Sequence, residues 1–196
     1  MQNNIELTPH FKLREFTESA TAKKHGIDNT PPPEVKENLR RLCVHTLEPL
    51  REAMGLPVII TSGYRCKALN ERMTHHSIRS QHMEGCAADF YVGQPQGSGF
   101  RVQDCPSGES AHSRDHSNKL GSPLAQSQIS GHRERLIRAF RTIILDEKID
   151  YDQLIIYPSF IHVSYISRER NRRSLTKANG NGHYCALTRT EALMLV

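Results

Sequence analysis

The chain has no tryptophan, aromatic residues make up only 6% of it, and hydrophobic residues account for just 37% of its 196 positions. So little apolar material cannot fill a core along the whole length, and part of the chain is expected to be surface loop. No apolar run is long enough to span a bilayer, so a membrane partner is not expected. The opening residues MQNNIELTPHFKL lack the basic start and apolar core of a secretory signal, so cytoplasmic synthesis is expected. Cysteines number five, an odd count without a regular framework, and read as reduced thiols. What the chain does have is basic charge, net +5. A basic surface favours polyanions, whether nucleic acid, anionic membrane or acidic cell-wall polymer. Apart from Arg168, Arg170, Arg172 and Arg173 the basic residues are dispersed. No nucleic-acid motif or basic-aromatic interleaving is present, so nucleic acid is not an expected partner.

The length suits one domain over 1–196 carrying an insertion. "REFTESATAKKHGI" predicts a short helix with Thr17 as N-cap and Gly26 as stop. Val35, Leu39, Leu42, Leu47 and Leu50 recur with helical spacing, with Pro49 a kink or break. "PVIIT" at 57–61 and "AADFYV" at 87–92 read as strands, and "CKALNERM" as a short helix. Residues 94–131 are rich in Gly, Ser, Pro, Gln and charge, the composition of a long, flexible surface insertion. Helical spacing returns at "HRERLIRAFRTIILDEKI". "YDQLIIYPSFIHVSYIS" reads as a hairpin around Pro158-Ser159, and "HYCALT" as a last strand.

The chemistry concentrates in "SQHMEGCAADF" and that hairpin. His82 and Asp89 stand seven apart, and His162 alternates with apolar Ile161 and Val163 along a strand. Two imidazoles and a carboxylate plus water make the pattern of a catalytic zinc site. Zinc there lowers the pKa of its water and polarises a carbonyl. The plainer reading is accidental: a chain with eleven histidines offers many chance pairs. Cys86 reads as a small buried residue more readily than as a soft ligand. His75, His76, His112 and His116 read as solvated loop histidines, and Arg168 to Arg173 as a solvated basic face.

"SGYRCKALN", "SQHMEGCAAD" and "YDQLII…FIHVSY" stand in an order and spacing that resemble the zinc D-alanyl-D-alanine carboxypeptidases and related peptidoglycan peptidases. That group includes the vancomycin-resistance dipeptidases and phage L-alanyl-D-glutamate endolysins. "FTESATAKKHGIDNTPPPEVKENL" is similar to the small single-domain bacterial and phage members. The resemblance implies an α+β fold of the hedgehog/DD-peptidase kind, a small antiparallel sheet with helices packed on it. It implies Zn2+ held by His82, Asp89 and His162, and zinc-activated water cleaving a stem peptide of peptidoglycan, as carboxypeptidase or endopeptidase. Arg65 would hold substrate or steady the oxyanion, where the residue alone suggests a salt bridge. Ser80 would anchor the peptide, where the residue alone suggests a cap, and Gln81 would orient the loop or the substrate. A monomer is expected. A substrate outside the membrane, with no signal peptide, suggests release by a phage-type lysis system.

One departure stands out. Relatives carry a glutamate shortly before the last histidine, as general base. Here no carboxylate lies between Asp152 and His162. Tyr157 occupies roughly that place, and with a pKa near 10 it is a poor base but can donate to an oxyanion. Glu84 is the nearest carboxylate in sequence to a ligand and would share the face of His82 if Ser80 to Glu84 were extended. A zinc-holding cell-wall-binding module with impaired catalysis is the alternative.

Overall fold

The computed structural model describes residues 5–74, 77–94, 123–179 and 182–196, with the backbone alone for 123–130. Two short strands, β1 (Glu6–Thr8) and β2 (Phe11–Lys12), pair antiparallel and lead into helix α1 (Leu13–Thr17). Helix α2 (Ala20–His25) follows, and its N-cap is Ser19, whose hydroxyl accepts from the Ala22 N–H. The single helix expected from Thr17 is thus two, because Glu18 is extended between them. Gly26 ends α2 in the left-handed conformation, as expected.

Helix α3 (Pro33–Leu42) buries Val35, Leu39 and Leu42. It runs through a π-turn (Cys43–Leu47) into α4 (Glu48–Met54). The expected break at Pro49 is this π-turn. A proline has no N–H to give the carbonyl four residues back. That carbonyl belongs to His45, and it accepts instead from the Asp150 N–H at 2.9 Å. The helical irregularity therefore anchors the loop before the hairpin.

Strands β3 (Val58–Ser62), β4 (Ala87–Val92), β5 (Gln153–Ile156), β6 (Ile161–Ser164), β7 (Ser174–Asn179) and β8 (His183–Ala186) form one sheet, ordered β3-β4-β6-β5-β7-β8. All its pairings are antiparallel except β5 with β7. The fold is α+β, a two-stranded and a larger sheet with helices. One sheet face carries Ala88, Phe90, Val92, Leu154, Ile156, Ile161, Val163 and Leu175, all buried in the main core. Helix α6 (Pro123–Leu145) covers it with Leu136, Ala139, Phe140 and Ile143. Short helices α5 (Lys67–Asn70) and α7 (Arg189–Leu193) complete the described elements.

Helix α6 begins at Pro123, so the end of the expected 94–131 insertion is helical. Gly131 and the polar run before it masked this in the sequence, since glycine inside a helix costs about 1 kcal/mol relative to alanine. Residues 95–122 of that insertion lie outside the described residues, as do His75, His76, His112 and His116. No helix among the described residues is long and apolar enough to cross a membrane.

Candidate metal centre and catalytic face

Register brings two of the expected ligands together. Asp89 on β4 lies opposite His162 on β6, and Ser62 on β3 lies opposite Asp89. Paired residues share a face, so Asp89 and His162 both stand on the face away from α6. The third expected ligand comes from a turn. Ser80 is extended, a 3-10 turn (Gln81–Glu84) follows, and Gly85 ends it with φ of 69°. A side chain at Gly85 would strike the Val35 carbonyl oxygen at 2.7 Å, so the turn is pressed on α3 where only glycine fits.

Three donor atoms converge. His82 Nε2 lies 3.2 Å from His162 Nδ1 and 3.4 Å from Asp89 Oδ1, and His162 Nδ1 lies 2.8 Å from the same oxygen. His82 and His162 are buried. The other His82 nitrogen, Nδ1, is 2.7 Å from the Gly63 carbonyl oxygen. A carbonyl only accepts, so Nδ1 carries the proton and the neutral ring turns a lone pair at Nε2 toward the other two. Burial pushes His82 toward that neutral form, against the pull of Asp89. Burial would raise the Asp89 pKa, but His82 and the His162 hydrogen bond outweigh it and hold the carboxyl well below the usual range. These three are, among the described residues, the one group of His, Cys, Asp and Glu side chains spaced to share a metal ion.

Gly63 earns its place twice. Its backbone passes so close to Phe16 that an added Cβ would lie 2.5 Å from the Phe16 Cα, and its carbonyl orients His82. The turn after it is locked by Asn29. That buried side chain donates to the Thr17 and Tyr64 carbonyls and accepts from the Cys66 N–H. Sequence reasoning passed over Asn29; its signal was an amide just ahead of the rigid "TPPP". Arg65 stands between these anchors. Its N–H donates to the His82 carbonyl, and its Nη2 lies 3.4 Å from the Ser80 hydroxyl. Arg65 Nε is buried without a hydrogen-bond partner among the described residues. Burial lowers its pKa, while Asp89 and Tyr157 act in the opposite direction. Arg65 is thus held by the 3-10 turn that carries His82, with no salt bridge among the described residues, and Ser80 makes no side-chain cap.

Residues 9–103 match the family model described as Peptidase M15. Over that stretch the chain is similar to the Peptidase M15 family. No curated protein and no solved structure matches it. The M15 stretch contains His82, Asp89, Arg65 and Ser80; His162 and Tyr157 lie beyond its end.

Other expected residues sort clearly. Tyr157 opens the β5–β6 turn, its N–H donating to the Phe160 carbonyl. It follows Ile155, the partner of His162, by two residues and so stands on the ligand face. Its ring stacks on Phe160 at 4.2 Å and its hydroxyl lies 3.2 Å from the Tyr184 hydroxyl. Burial and that hydroxyl raise its pKa, so Tyr157 is a neutral donor at physiological pH. Glu84 is not where an extended segment would put it. In a 3-10 turn with three residues per turn, positions two apart lie about 240° apart, and Glu84 is exposed while His82 is buried. Gln81 donates to Asp152 at 2.9 Å, a bond that orients its loop. Cys86 is buried, with its thiol pushed up to about 11 chiefly by burial. The arginine run is exposed to solvent, as expected, and also pairs inward: Arg168 and Arg173 with Asp150, and Arg172 with Asp152.

Proposed function

We propose that this chain is a zinc peptidase that cleaves a peptide bond in peptidoglycan stem peptides, as a D,D-carboxypeptidase or an L-alanyl-D-glutamate-type endopeptidase. The supporting observation is the convergence of His82 Nε2, His162 Nδ1 and Asp89 Oδ1 with the His82 Nδ1 proton donated to the Gly63 carbonyl. A proton on His162 Nδ1 bridges it to Asp89 at 2.8 Å; a divalent cation in its place would draw on all three donor atoms. A tetrahedral zinc with ligand bonds of ~2.0–2.1 Å has ligand-to-ligand edges of about 3.3 Å. The two separations from His82, 3.2 and 3.4 Å, match such edges. Zinc, when bound, supplies a Lewis acid that polarises the scissile carbonyl and acidifies water.

The chain's own residues supply the rest. Arg65 offers a fixed positive charge to the oxygen that becomes negative in the transition state. Tyr157 donates a hydrogen bond on the same face and, staying protonated, takes no proton from water. The remaining carboxylate near the turn, Asp152, is chelated by Arg172. The substrate peptide approaches the face opposite α6, with Ser80 beside Arg65 as an anchor. A soluble monomer released by a phage-type lysis system would meet such a substrate.

The missing carboxylate favours one second reading, a zinc-holding cell-wall-binding module. Purified protein incubated with peptidoglycan, with and without a chelator, separates the two. New amines that disappear with chelator support the peptidase. Sedimentation with the wall but no released peptide, at any zinc loading, replaces it with the binding module.

A further inference from the structure

The two histidines of the centre come from segments eighty residues apart, and one residue outside the centre is bonded to both segments. Asp152 is fully buried. Its backbone N–H donates to the Ser164 carbonyl at 2.6 Å, two positions after His162. Its carboxylate accepts from Gln81 Nε2 at 2.9 Å, one position before His82. Arg172 holds that carboxylate through Nε at 3.0 Å, Nη2 at 2.6 Å and its own backbone N–H at 2.7 Å. The Asp152 carbonyl accepts from the Ser174 N–H, fixing the start of β7. A buried carboxylate is costly unless its lone pairs are filled, and here donors from two distant segments fill them.

We propose that Asp152, locked by Arg172, is a positioning residue that sets the spacing of His82 and His162 through Gln81, and so sets zinc affinity. The inference rests on the zinc reading above. The C-terminal region then contributes more than one ligand: it carries the spacer that makes a turn in the first half and a strand in the second into one site. Bonds outside the ligand shell act in this way when they fix the orientation of ligands, and losing one typically weakens metal binding about 10- to 100-fold.

The test measures zinc dissociation constants against a competing chromophoric chelator, and thermal unfolding of the metal-free proteins, for full-length variants. Gln81→Met keeps the side-chain length and removes the hydrogen bond. It is expected to weaken zinc binding ~10- to 100-fold with metal-free unfolding little changed. Asp152→Asn should do the same more strongly if it folds; Gln81→Met carries the test if it does not. Thr46→Val is the control: it removes the hydroxyl bond to the Asp150 carbonyl but leaves Gln81 and Asp152 joined. It should lower the unfolding temperature and leave zinc affinity unchanged. Wild-type affinity in Gln81→Met, or equal weakening in Thr46→Val, overturns the proposal. A wild-type protein that binds no zinc overturns the zinc reading and this inference together.

Discussion

The region matched by the M15 model and the region after it hold their site residues by different means. In the first, backbone does the holding. Gly63 sits against Phe16, Gly85 against Val35, and Asn29 ties two backbone groups of the turn that presents Arg65 to the end of α1. In the second, His162 is set by strand register, and its surroundings are side-chain contacts: Tyr157 on Phe160 and Tyr184, Arg172 on Asp152. Backbone packing against glycine tolerates almost no substitution, whereas side-chain contacts can be exchanged while the strands stay in place. It is in the second region that the chain departs from the expected pattern, with Tyr157 where a glutamate was expected. Ligand geometry and catalytic base are therefore separable here.

The largest effect should come from ligands of either region. Wild-type protein should carry close to one zinc, and His82→Ala or His162→Ala should each lose most of it by elemental analysis. At a hundredfold excess over the dissociation constant, zinc should stabilise the wild type by about 2.7 kcal/mol, or roughly 5–11 °C for a chain of this size. Both variants should lose that increment. Full zinc in both would mean that the two regions do not share one ion.

The next effect tests the exchangeable half. Tyr157→Glu places a carboxylate on the ligand face and should raise hydrolysis, since general-base catalysis is typically worth about a hundred- to ten-thousand-fold. Tyr157→Phe should lower the residual rate with zinc retained. Glu84→Gln should leave it unchanged, because that side chain is exposed on the turned-away side of the 3-10 turn. A loss of cleavage in Glu84→Gln with zinc bound would reverse the assignment.

A smaller effect tests the rigid half. Gly63→Ala puts a Cβ 2.5 Å from Phe16 backbone, so the backbone must move. Overpacking of this kind costs about 1–3 kcal/mol, read as a fall in the unfolding temperature of the metal-free protein. The Gly63 carbonyl moves with it, so zinc affinity should fall too. Tyr157→Phe, by contrast, should change stability by less than ~1 kcal/mol, the size of one typical hydrogen bond. Equal stability losses would erase the distinction between the regions.

What could be read from the sequence follows the same division. His82, Asp89 and His162 were legible because strand alternation and the quoted motifs are short-range signals. The β5–β6 hairpin was legible from its apolar runs around Pro158-Ser159. β7 and α7 were not, since "SLTKAN" is neither apolar nor alternating enough and "RTEAL" is a single turn and a half. The partner of Gln81 was invisible because Asp152 lies 71 positions away. The face of Glu84 hung on whether Ser80 to Glu84 is extended: Gly85 signals a turn, but only the structure shows that the turn starts at Gln81.

The smallest effect concerns the segment joining the regions. Replacing 96–121 with a Gly-Ser link of about twelve residues removes no residue of the described core, which resumes at Leu136 after Val92. Halving a loop's length changes closure entropy by only about 0.6 kcal/mol, and the segment's composition offers little apolar surface to bury. The unfolding temperature should therefore shift by no more than ~2–3 °C, with zinc binding intact. If stability falls by several kcal/mol, the segment packs as structure, and the two regions are held together by more than the sheet and α6. If stability and zinc persist but peptidoglycan cleavage is lost, the segment contacts substrate, and the catalytic face extends beyond the residues that either region contributes.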